Sequence, residues 1–103
     1  MTPDEFRSLA LELPETEERS HMSHPDFRVG GKIFATLNED GTKGMVTLTP
    51  TQQEEFRILD EAFHPASGKW GDGGATMVTL AEADHGVVKN ALATAWENKS
   101  SRR

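Results

Sequence analysis

Apolar residues near the start of the chain fall at Phe6, Leu9, Ala10 and Leu13, the i, i+3, i+4, i+7 spacing that lines one face of an α-helix. Just ahead of them, Thr2-Pro3-Asp4-Glu5 sets a hydroxyl at the cap position, a proline at the first helical position and a glutamate at the third. These residues satisfy or tolerate the amides that a helix start leaves without partners. The pattern predicts a first helix that stops near Pro14, which cannot continue it. After an acidic connector, Glu15 to Glu18, the stretch Arg19 to His24 alternates weakly and reads as one strand. Phe27 and Val29, then Ile33, Phe34 and Leu37, flank Gly30-Gly31. Two glycines between β-formers predict a two-residue hairpin turn, whose backbone needs positive φ. Asn38 to Gly44 predicts a second turn, and Met45 to Thr49 a strand with Val46 and Leu48 on one face.

Thr49-Pro50-Thr51-Gln52 repeats the opening device and predicts a second helix that buries Phe56, Leu59 and Phe63 and ends before Pro65. Pro65 to Gly74 reads as a long loop around Lys69-Trp70, the kind of segment that carries function. Ala75 to Leu80 reads as a strand. Val87, Val88, Ala91, Leu92, Ala95 and Trp96 form a wide apolar stripe on a last helix from Asp84 to Glu97, and residues 98–103 are expected to be a disordered tail. A helix, a run of strands, then helix, strand and helix predict the α+β class: a single domain over residues 1–103, an antiparallel β-sheet with helices packed on one face. The expected core is Phe6, Leu9, Leu13, Phe27, Val29, Ile33, Phe34, Val46, Leu48, Phe56, Leu59, Val78, Leu80, Val88, Leu92 and Trp96.

Composition narrows the classes of function. The chain has 103 residues, 35% hydrophobic and 27% charged, which is room for one core and too apolar for wholesale disorder. No run of about 18 apolar residues offers a membrane span, and the first thirteen residues lack the basic and apolar regions of a signal peptide, so a cytoplasmic protein is expected. With no cysteine there is no disulfide, thiol nucleophile or thiolate metal site. The net charge is −6, and nearly all of it sits in residues 1–18, where six acids face Arg7 alone. The rest is close to neutral and holds Arg28, Lys32, Lys43 and Lys69, so a positive patch is compatible with the negative total.

Candidate chemistry is sparse. His21, His24 and Asp26 are too few for a transition-metal site, and the odd offset of two histidines on a strand sends them to opposite faces. His64 and His85 stand alone. Ser20, Ser23 and Ser67 lie outside any nucleophile motif. Gly71-Asp72-Gly73-Gly74 lacks the lysine-serine ending of a phosphate loop and precedes a strand instead of a helix. Trp70 beside Lys69 is the more telling pair, because an aromatic next to a base can stack on a nucleobase or seat a partner. No enzyme activity, cofactor or metal is expected.

Leu11-Glu12-Leu13-Pro14-Glu15, the block His24-Pro25-Asp26-Phe27-Arg28-Val29-Gly30-Gly31-Lys32-Ile33-Phe34-Ala35, Met45-Val46 through Leu48-Thr49-Pro50, Trp70-Gly71 and Ala95-Trp96 together resemble the MmcQ/YjbR family, from about Thr2 to Trp96. The resemblance implies a frataxin-like (CyaY-like) α+β fold and a "double wing" approach to DNA by hairpins and loops. Asp72-Gly73 stands where similar sequences carry a pair of arginines, and Thr47 where they carry lysine. The implied function is weak, non-sequence-specific DNA binding through Arg28, Lys32, Lys43, Lys69 and Trp70, with a log–log salt slope near −3 if about three or four phosphates are neutralised. Two alternatives stand beside it. One is a protein- or small-ligand-binding module built on the 65–74 loop, whose signature would be an exposed Trp70 beside a concave apolar surface with no basic stripe nearby. The other is weak cation binding by the acidic first helix. A monomer or weak dimer is expected.

Overall fold

The computed structural model describes residues 1–100. In chain order the elements are α1 (Pro3–Leu11), β1 (Thr16–His21), β2 (His24–Val29), β3 (Lys32–Leu37), β4 (Lys43–Thr47), α2 (Pro50–Leu59), β5 (Phe63–Pro65), α3 (Gly68–Asp72), β6 (Ala75–Thr79), a 3-10 turn (Leu80–Glu82) and α4 (His85–Ser100). The six strands form one antiparallel sheet in the order β1-β2-β3-β4-β6-β5. Helices α1, α2 and α4 cover one face, which is the architecture the periodicity predicts.

Both predicted helix starts are built as capping boxes. The Glu5 amide donates to the Thr2 hydroxyl at 3.1 Å and the Thr2 amide to the Glu5 carboxylate at 2.8 Å; Thr49 and Gln52 repeat the exchange at 3.1 and 2.9 Å. Behind the first cap, Phe6 is fully buried and meets the Phe27 ring edge-to-face at 6.2 Å. The space for that ring exists because residue 44 has no side chain: a Cβ there would lie 2.7 Å from Phe6.

The β2–β3 hairpin turns at Gly30-Gly31, with φ of 59° and 80°. Register then slips once, since Phe27 pairs with Ala35 but Arg28 with Ile33. Phe34 is the extra residue of a β-bulge, and the bulge lets two consecutive side chains, Phe34 and Ala35, enter the core. Ile33, across from Arg28 in the hairpin register, lies on the opposite, outer face, which is why this predicted core residue is exposed.

Five other expectations change. The single strand expected over Arg19 to His24 is two strands, β1 and β2, joined by a turn at Met22 and Ser23 with φ of 53° and 70°. Neither residue signals a left-handed turn; the twelve paired residues on either side impose it. The second helix ends at Leu59 because Asp60 turns extended and its carboxylate accepts the Ala62 and Asp84 amides. Phe63 therefore reaches Phe56 from a strand, stacking at 5.6 Å, while Leu59 is left 66% exposed. Leu13 and Trp96 pack on the rim of the core, half-buried. The expected 65–74 loop begins on the last residue of β5 and contains α3. Finally, α4 continues through Ser100, where disorder is expected from residue 98: Asn98 donates to the Thr47 carbonyl and the Gln52 side chain at 3.1 and 2.8 Å and ties the last turn to the sheet. Residues 101–103 lie outside the described residues.

Candidate binding site

Strand alternation and the bulge together determine what the outer face presents. The register aligns Asp26 with Thr36, Thr36 with Met45, Met45 with Met77, and Met77 with His64, one row across five strands. At about 4.8 Å between strands, Asp26 and Met77 stand roughly 14 Å apart. The row is polar at the β2 end and apolar at the β6 end. Met45 is buried although it is on the outer face, packed with Ala66 and Ala75 and flanked by Met77.

Over this apolar end stands Trp70, carried by α3. The helix sits where it does because Gly71 has no side chain; a Cβ at that position would collide with the Ala66 carbonyl. A second tie comes from α2, where the Gln53 side-chain amide donates to the Gly71 and Ala75 carbonyls and the Thr76 hydroxyl at 3.0, 3.1 and 3.2 Å. Thus held by its neighbours, α3 leaves Trp70 57% exposed, well short of the packed position that a tryptophan's large apolar surface favours. One wall of the indole closes a groove of about 520 Å³ whose lining includes Ile33, Thr36, Met45, Met77 and Arg28. A smaller hollow of about 400 Å³, with Lys43 and His64, lies against Trp70 as well.

The polar end of the groove is an ion pair. Arg28 meets Asp26 side-on, Nε to Oδ1 at 2.8 Å and Nη2 to Oδ2 at 3.2 Å, with side-chain exposures of 25% and 3%. The hydrogen bond to Asp26 holds the Arg28 pKa above its ordinary value, against the opposing effect of burial. A carboxylate that is all but buried requires such a partner, so Arg28 is committed to Asp26 and brings no net charge to the face.

Of the five residues singled out from the sequence, Arg28, Lys43 and Trp70 meet on the outer face, and Lys69 is exposed beside Trp70 on α3. Lys32 does not join them. It pairs with Val29 beyond the bulge and faces the helix side, where it lines a separate hollow of about 620 Å³ with Trp96 and Lys99. The four cations therefore form no single stripe. The acidic start of the chain is partly spent in ion pairs, Asp4 and Glu18 with Arg7 at 2.7 and 3.1 Å and Glu17 with Arg19 at 3.4 Å. Among the described residues no three histidine or acidic side chains gather where a metal ion could be held.

Thr36, Asn38, Met45 and Met77 also line the groove, with Ile33, which the sequence reading places in the core, and His24, which it sets aside as a metal ligand; none of the six is expected from sequence as a binding residue. A signal for two of them was present: Met45 and Met77 occupy outward positions next to the inward-facing Val46 and Val78, and an apolar outward residue marks a face that something covers.

The family model YjbR matches residues 11–98, which takes in every strand, Trp70 and the groove. Protein DR2400 of Deinococcus radiodurans, described by its family-model domain DUF419, has a crystal structure that superposes with a TM-score of 0.80 over 99% of this chain and 83% of that one, at 20% identity. That likeness shows a shared fold. No curated protein matches the chain. On the match over residues 11–98, the chain belongs to the YjbR family.

Proposed function

We propose that the chain is a non-enzymatic binding domain whose ligand site is the outer-face groove, with Trp70 as its apolar wall. The observation that carries this reading is the exposure of Trp70 over a concave surface of Met45, Met77 and Ile33, on the face where the only guanidinium of the lining is already paired. Pockets of several hundred Å³, largely apolar with a few convergent polar groups, are the usual form of small-ligand sites. Titration with N-phenyl-1-naphthylamine, a neutral probe that brightens in apolar surroundings, tests it. Saturable brightening abolished by Trp70→Ala and retained by Trp96→Phe is expected; equal brightening by wild type and Trp70→Ala refutes it.

Weak binding of single-stranded DNA is a second reading of the same face, favoured by Lys43 in the hollow against Trp70 and the exposed Lys69 next to it on α3, beside an indole that can stack on a base. With Lys32 on the other face and Arg28 neutralised, two lysines remain, and the log–log salt slope for a single strand falls to about −1.4. Fluorescence anisotropy of an oligothymidylate across a salt series is the test. A slope near −3 would require Lys32 and Arg28 to contribute after all.

A further inference from the structure

Of the groups lining the outer groove, the guanidinium of Arg28 has the most bonding capacity left. A guanidinium has five N–H donors in a fixed plane. The side-on pairing with Asp26 uses Nε and one hydrogen of Nη2. The opposite edge, formed by Nη1 and the second hydrogen of Nη2, keeps two parallel N–H groups, the spacing that matches both oxygens of a carboxylate. Two further groups at this end of the groove, the Thr36 hydroxyl and the His24 imidazole, make no hydrogen bond among the described residues. The other end is Met45 and Met77, about two and three strand spacings from Asp26, or roughly 10 and 14 Å, with Trp70 over them.

We infer that the groove takes an amphiphilic carboxylate: a flat or chain-like apolar body lying between Met77 and Trp70, with its carboxylate held end-on by Arg28. The inference rests on the groove reading and adds the head group to it. Charge bookkeeping permits the anion. Asp26 is balanced by Arg28, and Glu17, the other acid that acts on Arg28, is itself paired with Arg19 at 3.4 Å. The incoming carboxylate therefore meets a locally neutral cluster whose unspent groups include two charge-assisted donors at a half-buried position. A carboxamide of the same shape offers one oxygen where the carboxylate offers two, and its NH₂ group would face donors.

The test compares 2-naphthoate with 2-naphthamide, equal in body and differing in head group, by chemical-shift titration of ¹⁵N-labelled protein read at the Trp70 indole and Arg28 Nε–H signals. Wild type is expected to bind naphthoate about tenfold more tightly, the equivalent of about 1.4 kcal/mol. The preference should vanish in Arg28→Lys, which keeps a charge for Asp26 but loses the fork, and in the double variant Asp26→Asn with Arg28→Gln, which leaves no buried charge unpaired. If both probes move Trp70 with equal affinity in wild type, the head-group inference falls while the groove reading stands. A preference for naphthoate that survives in whichever variant folds overturns it as well. If neither probe moves the Trp70 signal at up to about 1 mM, the groove reading itself fails and the inference with it.

Discussion

Replacing Gln53 by methionine tests whether the site is held together in the way the hydrogen bonds indicate. Gln53 is the link between α2, which belongs to the helix layer, and α3, which carries Trp70. Its side-chain amide has two hydrogens and three acceptors within 3.2 Å, so the three contacts amount to two full hydrogen bonds. Methionine keeps the length of the side chain and its packing and removes both donors. None of the three oxygens is orphaned by the change. The Gly71 carbonyl still accepts the Gly74 amide at 3.0 Å, the Ala75 carbonyl still accepts the Ala66 amide at 2.9 Å, and the Thr76 hydroxyl still donates to the Gly74 carbonyl at 2.8 Å. The loss is therefore the net worth of two hydrogen bonds without the penalty of a stranded buried group, about 2 kcal/mol. For a domain of this size that is a fall in Tm of about 8–16 °C. Urea denaturation followed by far-UV circular dichroism measures the first quantity, and acrylamide quenching of the Trp70 emission in a Trp96→Phe background reports whether α3 has loosened. A loss below about 0.5 kcal/mol, or unchanged quenching of Trp70, would refute the role given to Gln53.

Three further outcomes follow from the same geometry. Gly44→Ala should lower stability by about 1–3 kcal/mol by denaturant titration, because the new methyl group must displace the fully buried Phe6 ring from 2.7 Å. Trp96→Phe should cost about 1 kcal/mol through the lost 2.9 Å hydrogen bond to the Pro14 carbonyl, with probe binding on the outer face unchanged by titration. On acidification, stability should fall as pH drops through and below the ordinary values of 4.5 for Glu5 and 3.8 for Asp40. Hydrogen bonds lower both pKa values in the folded state, from the Thr2 amide to Glu5 and chiefly from the Thr42 hydroxyl to Asp40, so the stability they confer is present above the unfolded pKa and lost on protonation. The double variant Glu5→Gln with Asp40→Asn should flatten the acid limb of a Tm-against-pH curve.

Features that depend on neighbours in sequence were legible from sequence. Both capping boxes, the Gly30-Gly31 turn and the apolar stripe of α4 depend on residues within one or two turns of each other, and each is found where its pattern places it. Features that depend on the sheet as a whole were not. The Met22-Ser23 turn carries no local signal, since its left-handed backbone is imposed by pairing of β1 with β2. The helical period through Phe56, Leu59 and Phe63 suggests one helix; Asp60 ends it by capping two amides, one of them 24 residues away. The candidate site divides in the same way. Trp70 stood out by its chemistry, whereas Lys32 was grouped with Arg28 by proximity in sequence, and the hairpin register sends the two to opposite faces, Lys32 across from Val29 and Arg28 across from Ile33. Met45 and Met77 come together only because β6 pairs with β4 across an intervening helix, strand and helix.

The central claim, that ligands enter the groove beside Trp70, is tested most directly by methyl NMR of the four methionines with N-phenyl-1-naphthylamine as the ligand. Met45 and Met77 line the groove, while Met1 and Met22 do not. The two tryptophans likewise separate the faces, Trp70 on the outer groove and Trp96 in the hollow with Lys32. Saturable shifts of the Met45 and Met77 methyl signals and the Trp70 indole N–H are predicted, with Met1, Met22 and Trp96 unmoved. Shifts centred on Trp96, or none at Met45, Met77 and Trp70, would contradict it.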